Sequence, residues 1–191
     1  MLKLRRSILS AFVMALMLLA PSVTLADSYT GRVVYVVDGD TVDVAFKDSP
    51  TVSGKRRVRL VGIDTMESQD NSKLRVDEKQ VGVNRQVLLH WGQTAKRRLT
   101  DLVDGKDVIV TFPGSDRSDR YGRLLGRLYV NGHDINLLLV SEGLAMVYRK
   151  ASFPEKSSYY EAERTAIQQR NGFWGHPAFG HVPAKLKSSF R

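Results

Sequence analysis

Two stretches of the chain hold the residue types that phosphodiester chemistry needs. Asp38-Gly39-Asp40-Thr41 is followed, after one intervening strand-like run, by Arg59-Leu60-Val61-Gly62-Ile63-Asp64-Thr65-Met66-Glu67. The carboxylates of Asp40, Asp64 and Glu67 and the guanidinium of Arg59 thus fall at the ends of neighbouring strands. Hard oxygen ligands beside a fixed cation suit a metal-assisted attack on a phosphodiester. A third stretch, Asp119-Arg120-Tyr121-Gly122-Arg123, adds a second arginine from much later in the chain. Singly these residues have plainer readings. Asp40 reads as a turn residue after Asp-Gly, Glu67 as a solvated glutamate opening a polar loop, and Arg59 and Arg123 as strand-surface cations like Arg57 and Arg127. Asp38 and Asp43 read as turn and surface residues. The set, in this order, favours the chemistry.

The elements that must position these groups follow from periodicity. Val33 to Val37 and Val42, Val44 and Phe46 flank Asp38-Gly39, a hairpin signal. A loop with Pro50 and Gly54 leads to a third strand over 57–63. Residues 68–90 are polar without sustained period and read as a long surface loop. A helix over 92–103 puts Ala95, Leu99, Leu102 and Val103 on one face. Strands over 107–112 and 123–130 follow, then helices over 135–141 and 159–169, stopped at Gly143 and Asn171-Gly172. The fold class predicted is α+β, mainly β. A five-stranded OB-type β-barrel with about three helices fits the order, although the pattern alone admits another α+β layout. Trp174 is expected to cap the core.

Of the 191 residues, the first 26 have the layout of a secretory signal peptide. Lys3, Arg5 and Arg6 precede an apolar run over 8–20, and Thr24-Leu25-Ala26 supplies small residues for a cut after Ala26. The apolar run is shorter than the ~20 residues of a spanning helix. The predicted organisation is a signal peptide over 1–26, one domain over 27–176, and a basic, loosely ordered tail over 177–191. Removing the three leader cations lowers the formal charge from +9 to +6, still basic enough to suit a polyanionic partner. Cysteine is absent, so an exported chain would rely on its core rather than on disulfides. The four histidines show neither metal-ligand nor triad spacing, and there is no P-loop.

Val-Asp-Gly-Asp-Thr-Val, Arg-Leu-Val-Gly-Ile-Asp-Thr-Met-Glu and Asp-Arg-Tyr-Gly-Arg, in this order, resemble the staphylococcal nuclease (thermonuclease) family. Glu142-Gly143-Leu144-Ala145 and Gly172-Phe173-Trp174 extend the likeness over 30–174. The resemblance implies an OB barrel with helices and calcium-dependent hydrolysis of DNA and RNA leaving 3′-phosphates. Asp40 and Asp64 match the family's calcium-binding carboxylates, and Thr65 the residue that offers a backbone carbonyl. Glu67 matches the glutamate acting on the attacking water, and Arg59 and Arg123 the two arginines that grip phosphate. Tyr121 matches a substrate-contacting tyrosine; Tyr148 fits either such a contact or a rim tyrosine. At the position before the glutamate, where the family commonly has proline, stands Met66, which gives up a fixed φ. The function expected is an exported, secreted or periplasmic nuclease, a monomer using Ca2+, preferring single strands and not held at a membrane after leader cleavage. The alternative is a non-catalytic nucleic-acid-binding barrel.

Overall fold

The computed structural model describes residues 27–47, 51–114 and 117–180; the expected signal peptide over 1–26 and residues 181–191 of the expected tail lie outside them. Strand β1 (Ser28–Asp38) runs antiparallel to β2 (Thr41–Phe46), and β2 to β3 (Gly54–Leu60). On its other edge β1 pairs with β5 (Asp107–Thr111), which pairs with β6 (Leu124–Val130). A parallel pairing of Val58, Arg59 and Leu60 with Leu124, Leu125 and Gly126 closes the five strands into a barrel. The mixed barrel is the architecture expected from the strand pattern. Closure leaves no edge among the five strands, and Val33, Val44, Val58, Val110 and Leu128 meet inside it, each completely buried.

The hairpin turn falls one residue later than the Asp-Gly signal suggests, at Gly39-Asp40. Register shifts in β1 between Val33 and Tyr35 and between Val36 and Asp38 bend the strand before the turn. The third strand has the predicted length but lies three residues earlier than 57–63, beginning at Gly54. It stops at Leu60, turns at Val61-Gly62, and resumes as β4 (Ile63–Asp64), paired with β8 (Met146–Val147). Gly62 makes this break possible: its φ is +82°, and a Cβ there would lie 2.5 Å from Phe153 Cζ.

Among the described residues there are four α-helices, one beyond the about three expected. The expected loop over 68–90 is instead α1 (Ser72–Val81) followed by the first turns of α2 (Arg85–Val103), which begins seven residues before Gly92. The buried positions of α1 are Leu74, Asp77 and Val81. An aspartate interrupts that helical stripe and hides its period. Asn71 caps α1, its Oδ1 accepting from Leu74 N at 2.9 Å, and Asn84 caps α2 through Gln86 N at 2.8 Å. Leu74, Val81, Val83 and Leu88 join Met66, Phe173, Trp174 and Phe179 in a second apolar cluster beside the barrel core. Trp174 is therefore buried, as expected, but in this second cluster.

The remaining elements are β7 (His133–Asp134), α3 (Ile135–Ser141) and α4 (Lys156–Gln169), then 3-10 turns at Gly172–Gly175 and Pro177–Phe179. Pro177–Phe179, placed by the sequence in a loosely ordered tail, is instead an ordered 3-10 turn, with Phe179 buried against Phe173 and ring centroids 5.4 Å apart. Arg127, read as a surface cation, is buried and paired with Asp134 at 2.7 Å. Among the described residues no helix is long and apolar enough to cross a membrane.

Candidate active site

The break after Leu60 folds the chain back so that Arg59 faces the residues on both of its flanks. Thr41 and Arg59 are cross-strand partners, which sets Arg59 beside the β1–β2 turn. Its Nη1 lies 2.8 Å from Asp40 Oδ2, and its Nη2 2.6 Å from Asp64 Oδ1. One planar fork thus bridges two carboxylates that are 24 residues apart in sequence. The Arg59 side chain is only 15 % exposed. Burial disfavours its charge, yet Asp40 and Asp64 hold the guanidinium above its ordinary pKa.

Asp40 is further fixed by its neighbours. Its Oδ2 accepts from Thr65 N and Thr65 Oγ1, both at 3.1 Å, and its Oδ1 from Thr41 Oγ1 at 2.9 Å. Asp40, Asp64, Thr65 and Arg59 are therefore one unit, as the sequence motifs suggested. Asp38, assigned there to the turn alone, belongs beside it. Its Oδ1 accepts from Gly39 N at 2.8 Å, and burial and then Asp40 push its carboxyl above the usual range. Asp64 is likewise pushed up by burial, against the pull of Lys73 and Arg59.

Glu67 is held despite the methionine before it. Met66 is buried in the second cluster, so packing anchors the segment where a fixed φ would otherwise do so. Asn71 Nδ2 donates to Glu67 Oε2 at 2.7 Å and Lys73 Nζ to Oε1 at 2.6 Å. Both partners come from the stretch read as a loop, and neither was singled out from sequence; the Asn-Ser-Lys start of α1 was the available signal. On the other side the Glu67 main chain lies against Gly92 of α2. A Cβ at Gly92 would sit 2.1 Å from Glu67 O. Gly92→Ala should accordingly cost about 1–3 kcal/mol, because the clash with backbone outweighs the ~1 kcal/mol gain in helix propensity. Thermal unfolding followed by circular dichroism will show this as a lowered midpoint. A midpoint raised above that of the parent would mean that α2 can shift away.

Arg123 stands apart from this unit. The parallel register with β3 puts it next to Arg57, but its guanidinium is held by Asp119, with Nε and Nη2 both 2.7 Å from Oδ2. Asp119 Oδ1 also accepts from the backbone of Tyr121 and Arg123. Burial opposes ionisation of Asp119, yet these bonds hold its carboxyl below the usual range. Tyr121 projects from the same loop, 67 % exposed, with the Arg123 guanidinium 5.4 Å from its ring centroid. Asp43, Lys55, Arg57, Tyr121 and Arg123 line one open groove on the barrel wall. Asp43, expected at the surface, is a buried carboxylate under that groove, bound by Arg57 Nε at 2.7 Å. Tyr148 is half-buried next to β8, its N donating to Gly62 O at 2.8 Å. It is not brought to the Arg59 unit by any hydrogen bond.

The donor set suits a hard divalent cation. Asp38, Asp40, Asp64 and Glu67 all act on the Arg59 guanidinium, and Asp64 and Glu67 also on the Lys73 ammonium, a concentration of negative charge that an added ion would offset. Among the described residues no group of three or more His, Cys, Asp or Glu is arranged to hold a metal. Asp40, Asp64 and the Thr65 carbonyl would therefore share an ion with water and substrate oxygens.

Comparison with known proteins identifies relatives of the chain. A family model described as staphylococcal nuclease homologue matches residues 57–176. A micrococcal nuclease of Shigella flexneri is 34 % identical over 174 residues, which is 86 % of this chain and 84 % of that one. An uncharacterised protein of Methanocaldococcus jannaschii is 32 % identical over 157 residues, covering 78 % of this chain and 72 % of its own. An uncharacterised endonuclease of Escherichia coli O157:H7 is 33 % identical over 145 residues, or 75 % and 76 % of the two chains.

Proposed function

The chain belongs to the staphylococcal nuclease family, and from that premise we propose that it is an exported nuclease using Ca2+ at Asp40 and Asp64. It is a hydrolytic nuclease acting on nucleic acid. The single observation that carries the finer reading is the Arg59 fork bridging Asp40 and Asp64 beside a restrained Glu67. Each residue then has a task. Glu67 orients a water and accepts its proton as the water oxygen attacks phosphorus. Arg59 donates to the phosphoryl oxygens on which negative charge accumulates. Arg123 approaches the same phosphate by exchanging Asp119 for substrate oxygen, its fork fitting either partner. Ca2+, when bound, would neutralise phosphoryl charge. Breakage of the P–O5′ bond leaves a 3′-phosphate, and the departing 5′ oxygen takes a proton.

Single strands are the proposed preference, because Tyr121 offers an exposed ring on which an unstacked base can lie. Tyr148 is assigned a supporting contact at the rim. Export is proposed from the leader-like residues 1–26, with the mature domain over 27–176 and a basic tail after it. A cut after Ala26 would leave the barrel whole, since β1 starts at Ser28 and Phe112 N donates to Asp27 O at 3.2 Å. The protein is proposed to act as a monomer on DNA and RNA.

The test is digestion of single-stranded DNA by the purified protein with Ca2+ and with chelator side by side. Degradation is expected with Ca2+ and should fall at least about 100-fold with chelator, as removal of the main charge stabiliser implies. Equal cutting in both would reject the metal assignment. A mobility shift without cutting in either would favour the binding-barrel alternative.

A further inference from the structure

The two oxygens of Glu67 are both engaged from the start of α1, by Asn71 and Lys73. Asn71 also caps that helix through Leu74 N, and Leu74 is completely buried. The orientation of Glu67 is therefore tied to a helix anchored in the second apolar cluster. Lys73 does more than orient. Burial works against its charge, but Asp64, then Glu67 and Asp77, hold its ammonium well above the ordinary range. Asp77, one turn further along α1, is itself pushed up to about 6, chiefly by burial. The ammonium, 2.6 Å from Glu67 Oε1, thus stands under the pull of Asp64, Glu67 and Asp77, as an arriving divalent ion would.

We propose that Lys73 is a positioning residue that acts as a tethered cation, holding Glu67 in place and competing with the divalent ion for the site's negative charge. The inference rests on the reading that Asp40 and Asp64 bind Ca2+. A like charge close to a metal site raises the cost of metal entry, and the effect is largest at low ionic strength. Removing the charge should then tighten metal binding while loosening Glu67. A purely structural lysine would not move these two quantities in opposite directions.

The experiment is calorimetric titration of Ca2+ into the purified protein without nucleic acid, at low salt, paired with turnover on single-stranded DNA. Lys73→Gln should bind Ca2+ about tenfold more tightly and turn over about tenfold more slowly. Lys73→Met, which also removes the charge, should reproduce the tightening. Lys73→Arg, which keeps it, should bind Ca2+ within about twofold of the parent. The Lys73 side chain is 43 % exposed, so these variants should fold, and melting curves will verify it. Unchanged or weaker affinity in Lys73→Gln, or equal tightening in Lys73→Arg, would overturn the proposal. Asp64→Asn separates the two ideas. If it abolishes binding while Lys73→Gln leaves affinity unchanged, only the role of Lys73 fails; if it binds like the parent, both fail.

Discussion

Glu67→Gln is expected to lower kcat by about 10²–10⁴ while leaving the affinity for single-stranded DNA within a few-fold of the parent. The substitution keeps shape and removes the carboxylate proposed to take a proton from the attacking water. Its structural cost is small but specific. Glu67 Oε1 and Oε2 each accept from a donor, Lys73 Nζ and Asn71 Nδ2. An amide has one acceptor to offer where the carboxylate had two, so one contact must be lost. Asn71 cannot turn its own amide over to compensate, since its Oδ1 already accepts from Leu74 N. A loss of about 1 kcal/mol in stability should accompany the loss of turnover. Steady-state kinetics beside a binding isotherm measures both, and a variant cutting as fast as the parent would remove Glu67 from the mechanism.

Arg59→Lys is expected to lower kcat/KM by about 10²–10³ although the charge is conserved. The bridge from Asp40 to Asp64 uses two nitrogens of one plane, at 2.8 Å and 2.6 Å, and an ammonium cannot reproduce that span. Arg59→Ala goes further, leaving two nearly buried carboxylates without their bridging cation. Breaking a buried pair in this way costs about 3–5 kcal/mol. The same change frees both carboxylates for a divalent ion, so added Ca2+ should raise the melting temperature of Arg59→Ala more than that of the parent. Thermal unfolding with and without Ca2+ measures this. An equal rise in the two proteins would mean that Arg59 and the ion do not share those carboxylates.

The local chemistry of the chain was open to sequence reading wherever a side-chain period or a turn residue expressed it. Valine-rich runs flanking Asp38-Gly39 announced β1 and β2, Asn131-Gly132 ended β6, and a clean apolar face marked the later turns of α2. The Arg59, Asp64 and Glu67 motif and the Tyr121-Gly122-Arg123 loop were visible as residue types in order. Helix α1 was not, because Asp77 stands where a third apolar residue would have completed its stripe. With α1 hidden, the two residues that hold Glu67 were hidden too.

What the sequence determined by itself was therefore the inventory: which carboxylates and arginines are present, in what order, and on which strand ends. Pairing was decided only by the tertiary structure. Closure of β3 on β6 and the turn at Gly62 let one guanidinium reach both Asp40 and Asp64, and set Arg123 on its own loop with Asp119. Contacts between residues far apart in sequence arise from strand register and helix docking, which depend on the whole core at once. No local period encodes them, and so the partners of Glu67, Asp43 and Arg127 emerged only when the chain was folded.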